Sequence, residues 1–196
     1  MNNGSGKGIQ PFISWREDYD SHVKIVDRQH QGILGFINNW YGDLKGKLVR
    51  PENVVAYMGE KYSYLEFYSK AHLAFEEKML DILVAKHGFP AEEQAKHLKI
   101  HQTFIRGFMQ GGSEQMGLLM RDQSASVLNG IAEDTLKDVA RWWFGHIRTP
   151  GEMQPAGPDY QYRMFLQKLS AEAKVDLLND LVLYFEESTV STNSPA

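Results

Sequence analysis

No cysteine occurs among the 196 residues of this chain. That absence excludes disulfides, thiolate zinc sites, iron–sulfur clusters and thiol catalysis together, so any metal must be held by nitrogen and oxygen. Long apolar runs are missing as well. Nothing approaches the roughly 20 residues that a bilayer span needs. No cluster of lysine and arginine has the scale of a nucleic-acid footprint, and the net charge is −4. Nucleic acid and membrane are therefore not expected partners. The first residues, Met1-Asn2-Asn3-Gly4-Ser5-Gly6-Lys7-Gly8, lack the apolar core of a secretory signal. A cytoplasmic location is expected by default. Strand-like alternation of useful length and internal repeats are also absent.

What is present is helical. Hydrophobic residues make up 42% and charged residues 23%, as in an ordinary globular domain. Ile33, Leu34, Ile37, Trp40, Tyr41 and Leu44 recur at three- and four-residue steps, which predicts a helix from near Asp27 to Leu44 with one buried face. A second helix is expected from near Pro51 to His87, stopped by Gly88. Pro90 opens a third, expected to reach Met109 and to be interrupted at Gly111-Gly112-Ser113, with a brief resumption through Leu118 to Met120. A fourth should run from Ser124 to Ile147. Pro150, Gly151, Pro155, Gly157 and Pro158 interrupt the chain, and one or two amphipathic helices follow over 160–186. The fold class expected is all-α: an up-down four-helix bundle over 25–150, an N-terminal arm over 1–24 and a C-terminal helical extension over 151–196. Leu166, Leu169, Val175, Leu177, Leu178, Leu181, Val182, Tyr184 and Phe185 are too apolar to be left in water. The extension should cover the bundle, with a homodimer or partner interface as the second reading.

Five of the seven histidines stand where a metal site would want them. His72 and Glu76 are four apart, as are His97 and His101, so each pair projects from one helical face in successive turns. His30 lies early on the first helix and His146 late on the fourth, and in an up-down bundle these ends can meet at one level. A single histidine in a bundle is more often a core or surface residue than a ligand, and each pair alone is a weak signal. Together, on separate helices, they are stronger. Glu76 sits among Leu73, Ala74, Phe75, Met79 and Leu80, where a carboxylate needs a cation to offset its desolvation. Five imidazoles and a carboxylate exceed one tetrahedral zinc and are too rich in nitrogen for calcium or magnesium. Two metals sharing a bridging carboxylate account for the count best. His87 fits a helix C-terminus, and His22 lies in the arm.

These residues resemble the hemerythrins, specifically the bacteriohemerythrin branch, over Trp15 to Ile147. The carriers of the resemblance are Asp27-Arg28-Gln29-His30, His72-Leu73-Ala74-Phe75-Glu76-Glu77, Gly88-Phe89-Pro90 followed by His97, His101 and Phe104, and Trp142 with His146-Ile147. The resemblance implies two iron ions, oxo- or hydroxo-bridged. It assigns His97, His101 and His146 to one iron, His30 and His72 to the other, and Glu76 as a bridge. It also implies that dioxygen binds reversibly at an open position of the second iron and is held as hydroperoxide. An oxygen carrier, store or sensor is the first reading. An enzyme reducing peroxide or nitric oxide or oxidising iron is the second, and an oxygen-responsive interaction module the third. One departure stands out. The family places a bridging Asp five residues after the last histidine, where this chain has Gly151. Glu152 is one residue later and is either a replacement ligand or a solvated loop acid that leaves six protein ligands.

Overall fold

A computed structural model describes residues 10–121, 125–149 and 157–192. All the regular structure among them is helical: α1 (Lys24–Lys45), α2 (Val54–Ile82), α3 (Ala91–Arg121), α4 (Ala125–Ile147), α5 (Asp159–Lys168) and α6 (Ala171–Thr192), with short 3-10 turns at Glu17–Tyr19 and Pro51–Asn53. The protein is all-α. α1 packs chiefly on α4 and α2 on α3, while α6 lies against α2 and α5 against α4.

The expected faces form. Val26, His30, Ile33, Leu34, Ile37 and Trp40 are the buried stripe of α1, so the periodicity that predicts the helix also carries His30 inward. α2 ends in a π-helical turn, Leu83–His87, and Gly88 closes it in the left-handed region at φ 78°. α3 departs from expectation by continuing through Gly111-Gly112-Ser113 to Arg121. A helical glycine costs only about 1 kcal/mol relative to alanine, and here the Tyr62 ring of α2 packs directly over Gly112. The N-terminal arm, expected from sequence to be irregular, has some regular structure. It carries the turn that buries Tyr19, and the Ser21 N–H donates to Asp27 Oδ1 at 2.8 Å, fixing the entry to α1.

Two apolar clusters make the core. One gathers Ile33, Ile37, Trp40, Met58, Leu65, Leu136 and Trp143 from α1, α2 and α4. The other joins Val26, Met79, Leu80 and Leu83 to Tyr162, Leu166, Leu177 and Leu181, so α5 and α6 are docked by buried side chains worth about 1.5–3 kcal/mol each. No helix among the described residues is long and apolar enough to cross a membrane.

Candidate metal centre

Five imidazoles converge on one carboxylate. His72 and Glu76 leave α2 from the same face, His97 and His101 leave α3, His30 comes from α1 and His146 from α4. All six are buried. Every histidine turns its Nε2 to Glu76. His30 and His72 face Oε1 at 3.3 and 3.2 Å. His97, His101 and His146 face Oε2 at 3.4, 3.3 and 3.4 Å. One carboxylate thus divides the five rings into a group of two and a group of three. Two donors each about 2.1 Å from one metal at right angles stand about 3 Å apart, so both groups have the spacing of ligands to a common ion. The potential ligand atoms of each group lie within 4.8 Å of one another.

A second acid enters this cluster. Asp159, the first residue of α5, is fully buried. Its Oδ1 lies 2.8 Å from His146 Nε2 and 3.7 Å from His97 Nε2, and its Oδ2 lies 3.2 Å from His30 Nε2. Hydrogen bonding alone does not satisfy this set. His72 Nε2, His101 Nε2 and both Asp159 oxygens have no hydrogen-bond partner. Two desolvated carboxylates need compensating positive charge, from protonated imidazoles or from a bound cation, and the donors available to a cation are nitrogen and oxygen only.

The electrostatics follow from that crowding. Burial opposes charge on His146, but Asp159 and Glu76 override it and raise its pKa to about 9. Burial also opposes charge on His30, and the same two acids raise it. Burial lowers His72 against the pull of Glu76. Burial and the neighbouring Glu76 push Asp159 up, yet His146 and His30 hold it below the usual carboxylate range. Glu76 is likewise held well down, burial opposing and the surrounding imidazoles prevailing.

The outer nitrogens are held too. His72 Nδ1–H donates to Gln29 Oε1 at 2.9 Å, His101 Nδ1–H to Glu77 Oε1 at 3.2 Å and His97 Nδ1–H to the Pro158 carbonyl at 3.3 Å. Each bond fixes the tautomer that leaves an Nε2 lone pair facing inward. Trp142 stacks on the His146 ring at 4.6 Å, and Trp143 lies 5.4 Å from the His72 ring, so apolar rings wall the polar cluster.

The chain is similar to curated bacteriohemerythrins. A bacteriohemerythrin of Pseudomonas aeruginosa is 30% identical over 137 residues, which is 69% of this chain and 74% of the relative. A bacteriohemerythrin of Stenotrophomonas maltophilia is 24% identical over 137 residues, covering 70% of this chain and 75% of the relative. The chain belongs to the bacteriohemerythrin family. No family model matches it, and no solved structure matches it.

Sequence reading locates six of the bacteriohemerythrin-type residues, and the structure brings all six together. His22 and His87 belong to neither cluster. Glu152, the replacement considered for the missing acid, lies outside the described residues, as does Gly151. Asp159 escaped because it stands thirteen positions beyond His146, past a glycine- and proline-rich stretch. A signal was there. Asp159, Tyr162 and Leu166 follow one another at steps of three and four and share the buried face of α5, so the acid sits on an apolar stripe just as Glu76 does. Gly157 makes this delivery feasible. Its N–H donates to the Arg148 carbonyl at 3.0 Å, and a Cβ there would lie 2.2 Å from the His146 carbonyl oxygen. Only a residue without a side chain lets the strand of backbone cross the end of α4 so closely. The arm then holds α5 in place: Arg163 Nη1–H donates to the Asp18 carbonyl at 3.2 Å and Gln167 Nε2–H to the Asp20 carbonyl at 3.0 Å.

Proposed function

We propose that this centre holds two iron ions and that the protein binds dioxygen reversibly, as a carrier, store or sensor. The observation that carries the reading is the division of five Nε2 atoms between the two oxygens of Glu76, two on one side and three on the other. His97, His101 and His146 would hold one iron, His30 and His72 the other, with Glu76 and Asp159 shared between them. Iron, when bound, supplies the electrons that dioxygen takes up. The protein's part is to position and to exclude. Gln29 and Glu77 orient imidazoles, while Trp142, Trp143 and the apolar core keep water from the cluster.

The absence of the family's Asp at Gly151 would favour the enzymatic alternative; the presence of Asp159 among the histidines instead supports the oxygen-binding reading. The test is metal content per chain with an optical spectrum of the anaerobic protein before and after air, then under vacuum. Two irons per chain and a charge-transfer band that vanishes under vacuum are expected. One zinc per chain would defeat the metal assignment. Irreversible oxidation in air would defeat the carrier reading and leave the enzyme.

A further inference from the structure

The second apolar cluster delivers more than Asp159. Tyr162, one turn further along α5, is fully buried and donates its O–H to Glu76 Oε1 at 2.5 Å. Its ring lies 5.5 Å from the His97 ring. Among the described residues it is the only hydroxyl bonded to either buried carboxylate. The oxygen it chooses is the one turned toward His30 and His72, the side with one imidazole fewer.

We propose that Tyr162 is the specificity-determining donor of this centre: its O–H selects exogenous ligands that accept a hydrogen bond at the two-histidine side. The proposal rests on the di-iron reading. A metal held by His30, His72, Glu76 and Asp159 has four protein donors against five on the other side, which leaves room there for an added ligand. A ligand added on the two-histidine side would share it with a hydroxyl that is already 2.5 Å from Glu76 Oε1. A small anion or a reduced oxygen ligand gains this bond, whereas a ligand with poor acceptor atoms does not.

The probe is azide on the full chain, loaded with iron anaerobically and then oxidised. Tyr162→Phe should keep the wild-type iron content and helical circular dichroism while azide affinity, read from its charge-transfer band, falls by about tenfold or more. Nitric oxide bound to the ferrous protein, a weak acceptor, should change by less than about threefold. A second measurement needs no variant: the infrared stretch of bound azide in the wild type should shift between H₂O and D₂O. Unchanged azide affinity in Tyr162→Phe overturns the proposal, as does an azide stretch insensitive to D₂O. Loss of iron from the variant also overturns it, because Tyr162 would then act by holding Glu76. A wild type that binds no iron defeats the parent reading instead.

Discussion

The two sides of the candidate centre are built unequally. On one side α3 and α4 bring His97, His101 and His146 to Glu76 Oε2 and Asp159 Oδ1. On the other, α1 and α2 bring His30 and His72 to Glu76 Oε1 and Asp159 Oδ2. The first side offers five donors and is nearly complete for a six-coordinate ion. The second offers four and is the side toward which Tyr162 points. On the proposed di-iron reading this difference would locate the chemistry: one ion would be structural in character, and the other would be where a ligand enters.

The acids common to both sides give the largest expected effect. Asp159→Ala withdraws an oxygen from each side at once, leaving four donors on one and three on the other, and should reduce iron from two per chain to about one, with helical circular dichroism retained. Gly157→Ala should reproduce that loss, since its Cβ would clash with the His146 carbonyl and displace α5. Two irons retained in Asp159→Ala would remove Asp159 from the ligand set. Donor counting then separates the sides. His101→Ala leaves four donors on the three-histidine side, as many as the other side has naturally, so two irons should remain. His72→Ala leaves three and should keep only one iron. Equal iron in these two variants would erase the asymmetry.

Most of this site is legible in the chain because helical periodicity carries its own depth information. The stripe that buries Ile33 and Ile37 also buries His30, and a four-residue step sets His72 under Glu76. Asp159 is harder to see because its position depends on how backbone returns across the end of α4, a tertiary path that no local periodicity encodes. Gln29 and Glu77 illustrate a second limit. Both stand inside the recognised motifs, but their bonds to His72 and His101 cross between helices, and side-chain reach across a helix pair is not a sequence property. The uninterrupted α3 is a third case, where packing under Tyr62 outweighs the weak helix propensity of two glycines.

Protons sharpen the comparison at a smaller scale. In the metal-free protein His146 on the three-histidine side is raised to about 9, so at neutral pH it is protonated. A metal needs its neutral Nε2, so uptake must release that proton. Apparent affinity should therefore rise by about tenfold per pH unit on this account up to about pH 9 and level off above it. On the other side His72, lowered by burial, adds no such dependence, whereas His30, raised by Asp159 and Glu76 against burial, adds one in the same direction. Anaerobic ferrous titration against a chelator measures the slope, and a flat profile below pH 9 would show that His146 is neutral before the metal arrives.

The smallest expected difference concerns the outer supports. Gln29 holds His72 from a half-buried position at 2.9 Å. Glu77 holds His101 at 3.2 Å with its side chain 41% exposed. Losing a partner of this kind typically lowers metal affinity by about 10–100-fold. The loss should be nearer the upper end for Gln29→Ala, since an amide bond sheltered from solvent has no ready substitute. For Glu77→Ala it should be only a few-fold, on the order of what an exposed and screened charge contributes, because water can take the place of the carboxylate on His101 Nδ1–H. Chelator-driven iron release separates the two: the fast phase should quicken in Gln29→Ala and stay nearly unchanged in Glu77→Ala. The reverse ranking would mean that charge on Glu77, rather than fixed orientation, is what ties His101 to its metal, and the three-histidine side would then owe its strength to an acid at the protein surface.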